Sequence, residues 1–98
     1  MYYVYLIQSR KTGKFYIGFT PDLRDRLNKH NTGKVTATKV YIPYELIYYE
    51  AYKSKRDALT REHNLKYFGQ GFSRLKERIK YCIHNASYVR GNPAHKDC

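Results

Sequence analysis

Apolar and aromatic residues fill both faces of the segment Tyr2–Gln8, with Tyr3, Tyr5 and Ile7 on one side and Val4 and Leu6 on the other. A short run of this kind, rich in β-branched and aromatic residues, predicts a strand covered on both sides. The polar turn Ser9–Gly13 follows, and Phe15-Tyr16-Ile17-Gly18 resumes the pattern, so the two segments are expected to pair as an antiparallel hairpin. Thr20-Pro21-Asp22 then opens a helix, with a hydroxyl for the N-cap, proline at the first helical position and an acid near the positive end of the dipole. Leu23 and Leu27 recur one turn apart and point inward, and Gly33 fits the stop.

Lys34 to Ile42 reads as a basic, threonine-containing loop, after which Pro43 precedes a third strand, Tyr44–Tyr52. Ser54 with Asp57 three residues later caps a second helix, on which Ala58, Leu59 and Leu65 supply the apolar stripe. Gly69-Gln70-Gly71 is expected to break that helix. Ser73 would cap a third, with Leu75, Ile79, Cys82 and Ile83 on one face and Arg74, Lys76, Arg78 and Lys80 covering the rest. The fold class is therefore α+β: a small three-stranded, mainly antiparallel sheet flanked by three helices in the order β-β-α-β-α-α. It occupies residues 1–84, with a loose tail over residues 85–98.

The 98 residues have room for a single core. No run approaches the roughly 18 apolar residues that a membrane span requires, so no membrane partner is expected. The segment MYYVYLIQSR lacks the basic start and cleavage site of a signal peptide, and two cysteines make no disulfide framework, which together suit a cytoplasmic protein. Composition sharpens the picture: 19 Lys and Arg against 8 Asp and Glu leave a net charge of +11, and a polyanion is the first partner to consider. Nucleic acid fits better than an anionic membrane, because no basic amphipathic segment has a continuous apolar face. Twelve tyrosines among these basic residues can stack on bases or pack the sheet.

Several side chains have the chemistry for such a partner. Arg26 and His30 lie one helical turn apart at the edge of the Leu23–Leu27 face. Arg26 either snorkels over the core or grips a phosphate with its fork of donors. Glu62 shares a helix face with Ala58 and Leu65, where a carboxylate needs a partner: an ion pair with Arg26 or a lysine, or a divalent cation whose remaining positions go to phosphate and water. Tyr5 and Tyr16 sit on the hairpin strands. A phenol with a reference pKa of about 10 acts as a base only if neighbouring cations or a metal lower that value. Cys82-Ile83-His84 and His95–Cys98 contain zinc-ligand types, but the first pair is too tight for an ordinary structural site and the second falls in the loose tail. No phosphate-cradling G-x-x-x-x-G-K run is present, so no nucleotide cofactor is expected; H-E-x-x-H and G-x-S-x-G are missing too.

Taken in order, Tyr3-Val4-Tyr5, Tyr16-Ile17-Gly18, the helix with Leu23, Arg26 and His30, and Arg61-Glu62-His63-Asn64-Leu65-Lys66 resemble the GIY-YIG nuclease domain, the last segment matching its "REK-x-L-K" helix. The likeness covers roughly residues 1 to 83. "YIG" stands to the letter, whereas "GIY" appears as Tyr-Val-Tyr and keeps the final tyrosine. The resemblance implies a metal-dependent DNA endonuclease, using Mg²⁺ or Mn²⁺, in a setting such as repair or recombination. It implies that Tyr5 and Tyr16 flank the scissile phosphate, that Arg26 steadies its charge, that Glu62 binds the metal and that His30 lies near the attacking water. Which of Tyr5, Tyr16 and His30 takes the proton stays open. Lys66 would touch the nucleic acid, and Arg24, Arg74, Lys76 and Arg78 would add backbone contacts. Two rivals are a binding module of the same fold that cleaves weakly and a basic structural protein whose tyrosines only pack.

Overall fold

The computed structural model describes residues 1–67 and 69–83; the expected tail over residues 85–98, with the His95–Cys98 segment and His84 before it, lies outside them. Strand β1 (Tyr2–Ser9) and strand β2 (Phe15–Thr20) form the hairpin. Helix α1 (Leu23–Asn31), a 3₁₀ turn at Lys39–Tyr41, strand β3 (Tyr44–Tyr52), helix α2 (Lys55–Tyr67) and helix α3 (Gly69–Arg78) complete the expected order. The sheet runs β2-β1-β3 and is antiparallel throughout.

The two-faced pattern of β1 explains why it is the central strand. Val4 and Leu6 point into one core with Ile17, Ala58, Leu65 and Leu75, beneath α2 and α3. Tyr5 and Ile7 point the other way, with Tyr44, and are covered by Leu23 and Leu27 of α1. Helices therefore lie on both faces of a thin sheet. The end of α1 is fastened to the start of β3 by Asn31, whose amide donates to the Tyr44 carbonyl (3.0 Å) and accepts from the Tyr44 N–H (2.6 Å). Gly33, at φ +76°, ends the helix as expected.

Four local expectations are corrected. The α1 cap is Asp22, whose carboxylate accepts the Asp25 N–H at 3.1 Å. Thr20 instead closes on Asp22 itself, its hydroxyl bonded to both the N–H and the carbonyl, and so finishes β2. Helix α2 stops before Gly69, as expected, but Gly69 to Gly71 form the first turn of α3, and Ser73 lies within that helix instead of capping it; first-turn N–H groups have no acceptor within the helix, so weak helix formers cost little there. The helix stops at Arg78, and residues 79–82 are turns, with Ile79 of the expected stripe packed on the core. Leu59, one position past Ala58, has rotated off the buried stripe and is exposed.

Candidate active site

The site is built around Tyr5, which β1 aims across the hairpin. Its cross-strand partner is Gly18, and a Cβ on that residue would fall 2.2 Å from the Tyr5 hydroxyl oxygen. Only a glycine leaves room for a ring laid over the β2 backbone. The phenol thereby reaches α1, where its oxygen stands 2.7 Å from His30 Nε2.

His30 is fully buried, and its other nitrogen, Nδ1, lies 2.8 Å from the Thr38 hydroxyl. The Thr38 hydroxyl is directed at the Val35 carbonyl (3.4 Å), so its oxygen accepts the Nδ1–H, which leaves Nε2 to accept the Tyr5 proton. Burial, with the Arg26 charge adding, pushes the imidazole down to about 4. Burial also raises the Tyr5 phenol to about 12; Arg26 opposes that rise, while Tyr16 and Glu62 add to it. The charge of Arg26 does not bring the Tyr5 phenol below its ordinary value, because loss of solvent outweighs it. At neutral pH the pair is phenol and neutral imidazole.

Arg26 borders the two phenols, and the Tyr5 hydroxyl beside it, more than Tyr16, holds its charge in place against burial. Its Nε is buried without a hydrogen-bond partner, the one such side-chain atom among the described residues. An unmatched donor of this kind costs free energy until an acceptor arrives. Tyr16 is half-buried at the rim, its ring 4.9 Å from His30, 6.4 Å from Tyr5 and 5.6 Å from the Lys66 ammonium. Glu62, on α2, pairs through Oε2 with Lys66 at 3.1 Å, so a lysine is its partner in the protein rather than Arg26.

The five expected residues thus converge, Tyr5, Tyr16, Arg26 and His30 in direct packing and Glu62 from the opposing helix. His30 stands behind Tyr5, fully out of solvent. Lys66 joins the site. Arg24 lies across α1 with Tyr3, Leu46 and Tyr49 around a separate concavity of about 500 Å³, Lys76 covers the Phe72 ring, and Arg74 and Arg78 are exposed on α3. Two further residues shape the site, Gly18 and Thr38. Gly18 carried a signal, since a glycine inside a strand pattern marks a close approach. Thr38 carried none, because an irregular loop has no period to read.

Among the described residues no three His, Cys, Asp or Glu side chains gather to cage a metal. The donor set still fits a hard divalent cation, which accepts one carboxylate and takes its other oxygens from water and phosphate; Glu62 would offer that carboxylate.

Residues 1–70 match the family model of the GIY-YIG catalytic domain. A UPF0213 protein of Staphylococcus saprophyticus is 36% identical over 70 residues, covering 70% of this chain and 84% of the relative. A UPF0213 protein of Streptococcus pneumoniae is 42% identical over 65 residues, 65% of each chain. The solution NMR structure of a UPF0213 protein from Bacillus halodurans aligns over 99% of this chain and 94% of its own, with 28% identity and a TM-score of 0.49.

Proposed function

The chain belongs to the GIY-YIG family of nuclease domains, and from that premise we propose that it is a DNA endonuclease that requires Mg²⁺ or Mn²⁺. The observation that carries this reading is the unpartnered Arg26 Nε beside two phenols and a buried histidine. A phosphodiester oxygen would supply the acceptor that Arg26 Nε lacks, in a geometry an arginine fork suits.

In this reading the attacking water lies at the Tyr5 oxygen. Its proton passes to Tyr5 as the phenolic proton crosses the 2.7 Å hydrogen bond to His30 Nε2, while Thr38 holds the Nδ1–H in place. The relay ends on imidazolium and never requires a tyrosinate, which a phenol raised to about 12 would resist. Arriving phosphate also cancels part of the Arg26 charge that depresses His30, so the acceptor gains strength when substrate is bound. The water oxygen forms the new bond to phosphorus as the bond to the 3′ oxygen breaks, and Arg26 faces the growing negative charge. Tyr16, at the rim, orients a phosphate oxygen. A divalent cation on Glu62 would supply Lewis-acid stabilisation of the leaving oxygen.

The test is incubation with duplex, flapped and branched DNA in Mg²⁺, Mn²⁺ or chelator, alongside Glu62→Ala and Arg26→Ala. Metal-dependent cutting that both substitutions abolish is expected. Cutting that persists in Glu62→Ala overturns the metal role, and salt-sensitive binding without cutting on any substrate reduces the protein to a binding module.

A further inference from the structure

Away from the tyrosine cluster, α2 and α3 enclose a smaller hollow of about 210 Å³, lined by Arg61, Gly71, Arg74, Leu75 and Arg78. Three guanidiniums border it, and they are not equivalent. Arg61 is clamped by Glu50 of β3, Nε donating to Oε1 at 2.9 Å and one terminal nitrogen, Nη2, to Oε2 at 3.0 Å. The same carboxylate accepts the Tyr48 and Tyr52 hydroxyls, so its orientation is fixed from three directions. That fork uses one edge of Arg61 and leaves Nη1 uncommitted. Arg74 and Arg78 have no ion pair among the described residues; Glu77, between them on α3, turns to Lys80 at 3.6 Å.

Guanidiniums brought together around a hollow floored by buried Leu75 repel one another until an anion enters, and the concave wall concentrates their potential. Their planar donors match phosphate. A free phosphate ion would gain little from two exposed arginines and a third already neutralised by Glu50, whereas a phosphate tethered to a strand held elsewhere arrives at high effective concentration. We propose that this hollow is a second phosphate site, which holds the nucleic-acid backbone away from the bond that is cut. The assignment rests on the nuclease reading and extends it. Arg61 and Glu62 are consecutive on α2 and point about 100° apart, so the two sites flank a helix about 10–12 Å across. DNA that fills both must run over α2, with that helix setting the spacing between the gripped phosphate and the scissile one.

The exposed pair Arg74→Gln, Arg78→Gln tests this, with Arg74→Lys, Arg78→Lys as the charge-retaining control. Affinity for a 5′-labelled duplex, measured by anisotropy in chelator across a salt series, should fall about 10-fold in the glutamine variant. The slope of log affinity against log salt should drop by about 1 to 2, with KM rising far more than kcat falls. The lysine variant should recover the slope but not the full affinity. Unchanged affinity and slope, in a protein that still binds and cuts DNA, overturn this site and leave the nuclease reading standing. A wild-type protein that binds no DNA overturns both. Inorganic phosphate added alone should leave the Arg74 and Arg78 Nε–H NMR signals unmoved at low millimolar concentration; strong shifts, together with unaltered DNA affinity in the variant, assign the hollow to free phosphate instead.

Discussion

The sheet carries two polar clusters that begin alike, each with tyrosines, one arginine and a helix packed over a strand, and end differently. Around Glu50 the carboxylate is fully matched: two phenols and a two-pronged arginine converge on it. Although burial alone would raise that carboxyl, Arg61 and the two tyrosines outweigh it and hold it below its ordinary value. Around Tyr5, matching stops short. His30 is satisfied on both nitrogens, but Arg26 keeps a buried donor without an acceptor and the phenol is pushed away from ionisation. A completed network contributes rigidity, and one left a partner short is a place where substrate can supply the missing group.

Substitution should separate the two clusters, beginning with the largest effect. Arg26→Gln is expected to lower kcat about 1,000-fold, roughly 4 kcal/mol of transition-state stabilisation, with the urea midpoint nearly unchanged. A variant that unfolds readily but cuts normally would reverse the assignment of this cluster.

Acid provides the next contrast. His30 titrates at its ordinary 6.5 when unfolded and near 4 when folded, so the unfolded chain binds more protons between those values. Stability is full above pH 6.5 and declines as the pH falls towards 4, by roughly 3 kcal/mol in all. Glu50, depressed from 4.5, adds stability that is present above pH 4.5 and lost only below it. Urea melts from pH 7 to 5 should therefore slope in the wild type and flatten in His30→Gln, while Arg61→Gln leaves that slope intact.

Arg61→Gln is the mirror of the arginine experiment. It strands a largely buried carboxylate with only its phenols, and unfolding free energy should fall by about 2 kcal/mol, read by urea denaturation, while kcat per folded molecule stays within a few-fold. Smallest of the set, Thr38→Val removes the acceptor of the His30 Nδ1–H. Destabilisation of about 1 kcal/mol is expected, with kcat down about 10-fold because the imidazole loses the partner that fixes its tautomer. Equal activity in the valine variant would show that His30 orientation does not depend on that hydroxyl.

Much of this arrangement is legible in the sequence wherever a period carries it. The alternation in Tyr2–Gln8 separates Tyr5 from Val4 and Leu6, and the spacing of Leu23, Arg26, Leu27 and His30 places both polar residues beside the α1 core face. Glu62 stands out as a carboxylate near an apolar stripe. What the pattern lacks is depth: helical spacing puts His30 on the right side of α1 but cannot tell a rim residue from one with no exposed surface. Nor can it find partners that meet only through tertiary packing, such as Thr38 from an irregular loop or the join between Glu50 and Arg61, eleven positions apart. The cap of α1 turns on a related limit. Thr20 and Asp22 both offer a capping oxygen, and the choice went to the residue whose backbone was free of the strand.

The central position of β1 has a consequence for how the chain can go wrong. Because successive residues of that strand serve opposite faces, pairing displaced by a single residue would turn Val4 and Leu6 towards His30 and send Tyr5 under α2. Such a molecule could retain near-normal strand and helix content and still have no phenol at the reaction centre. Turnover per molecule would then measure the fidelity of strand alignment, and a preparation's specific activity would count the correctly threaded fraction.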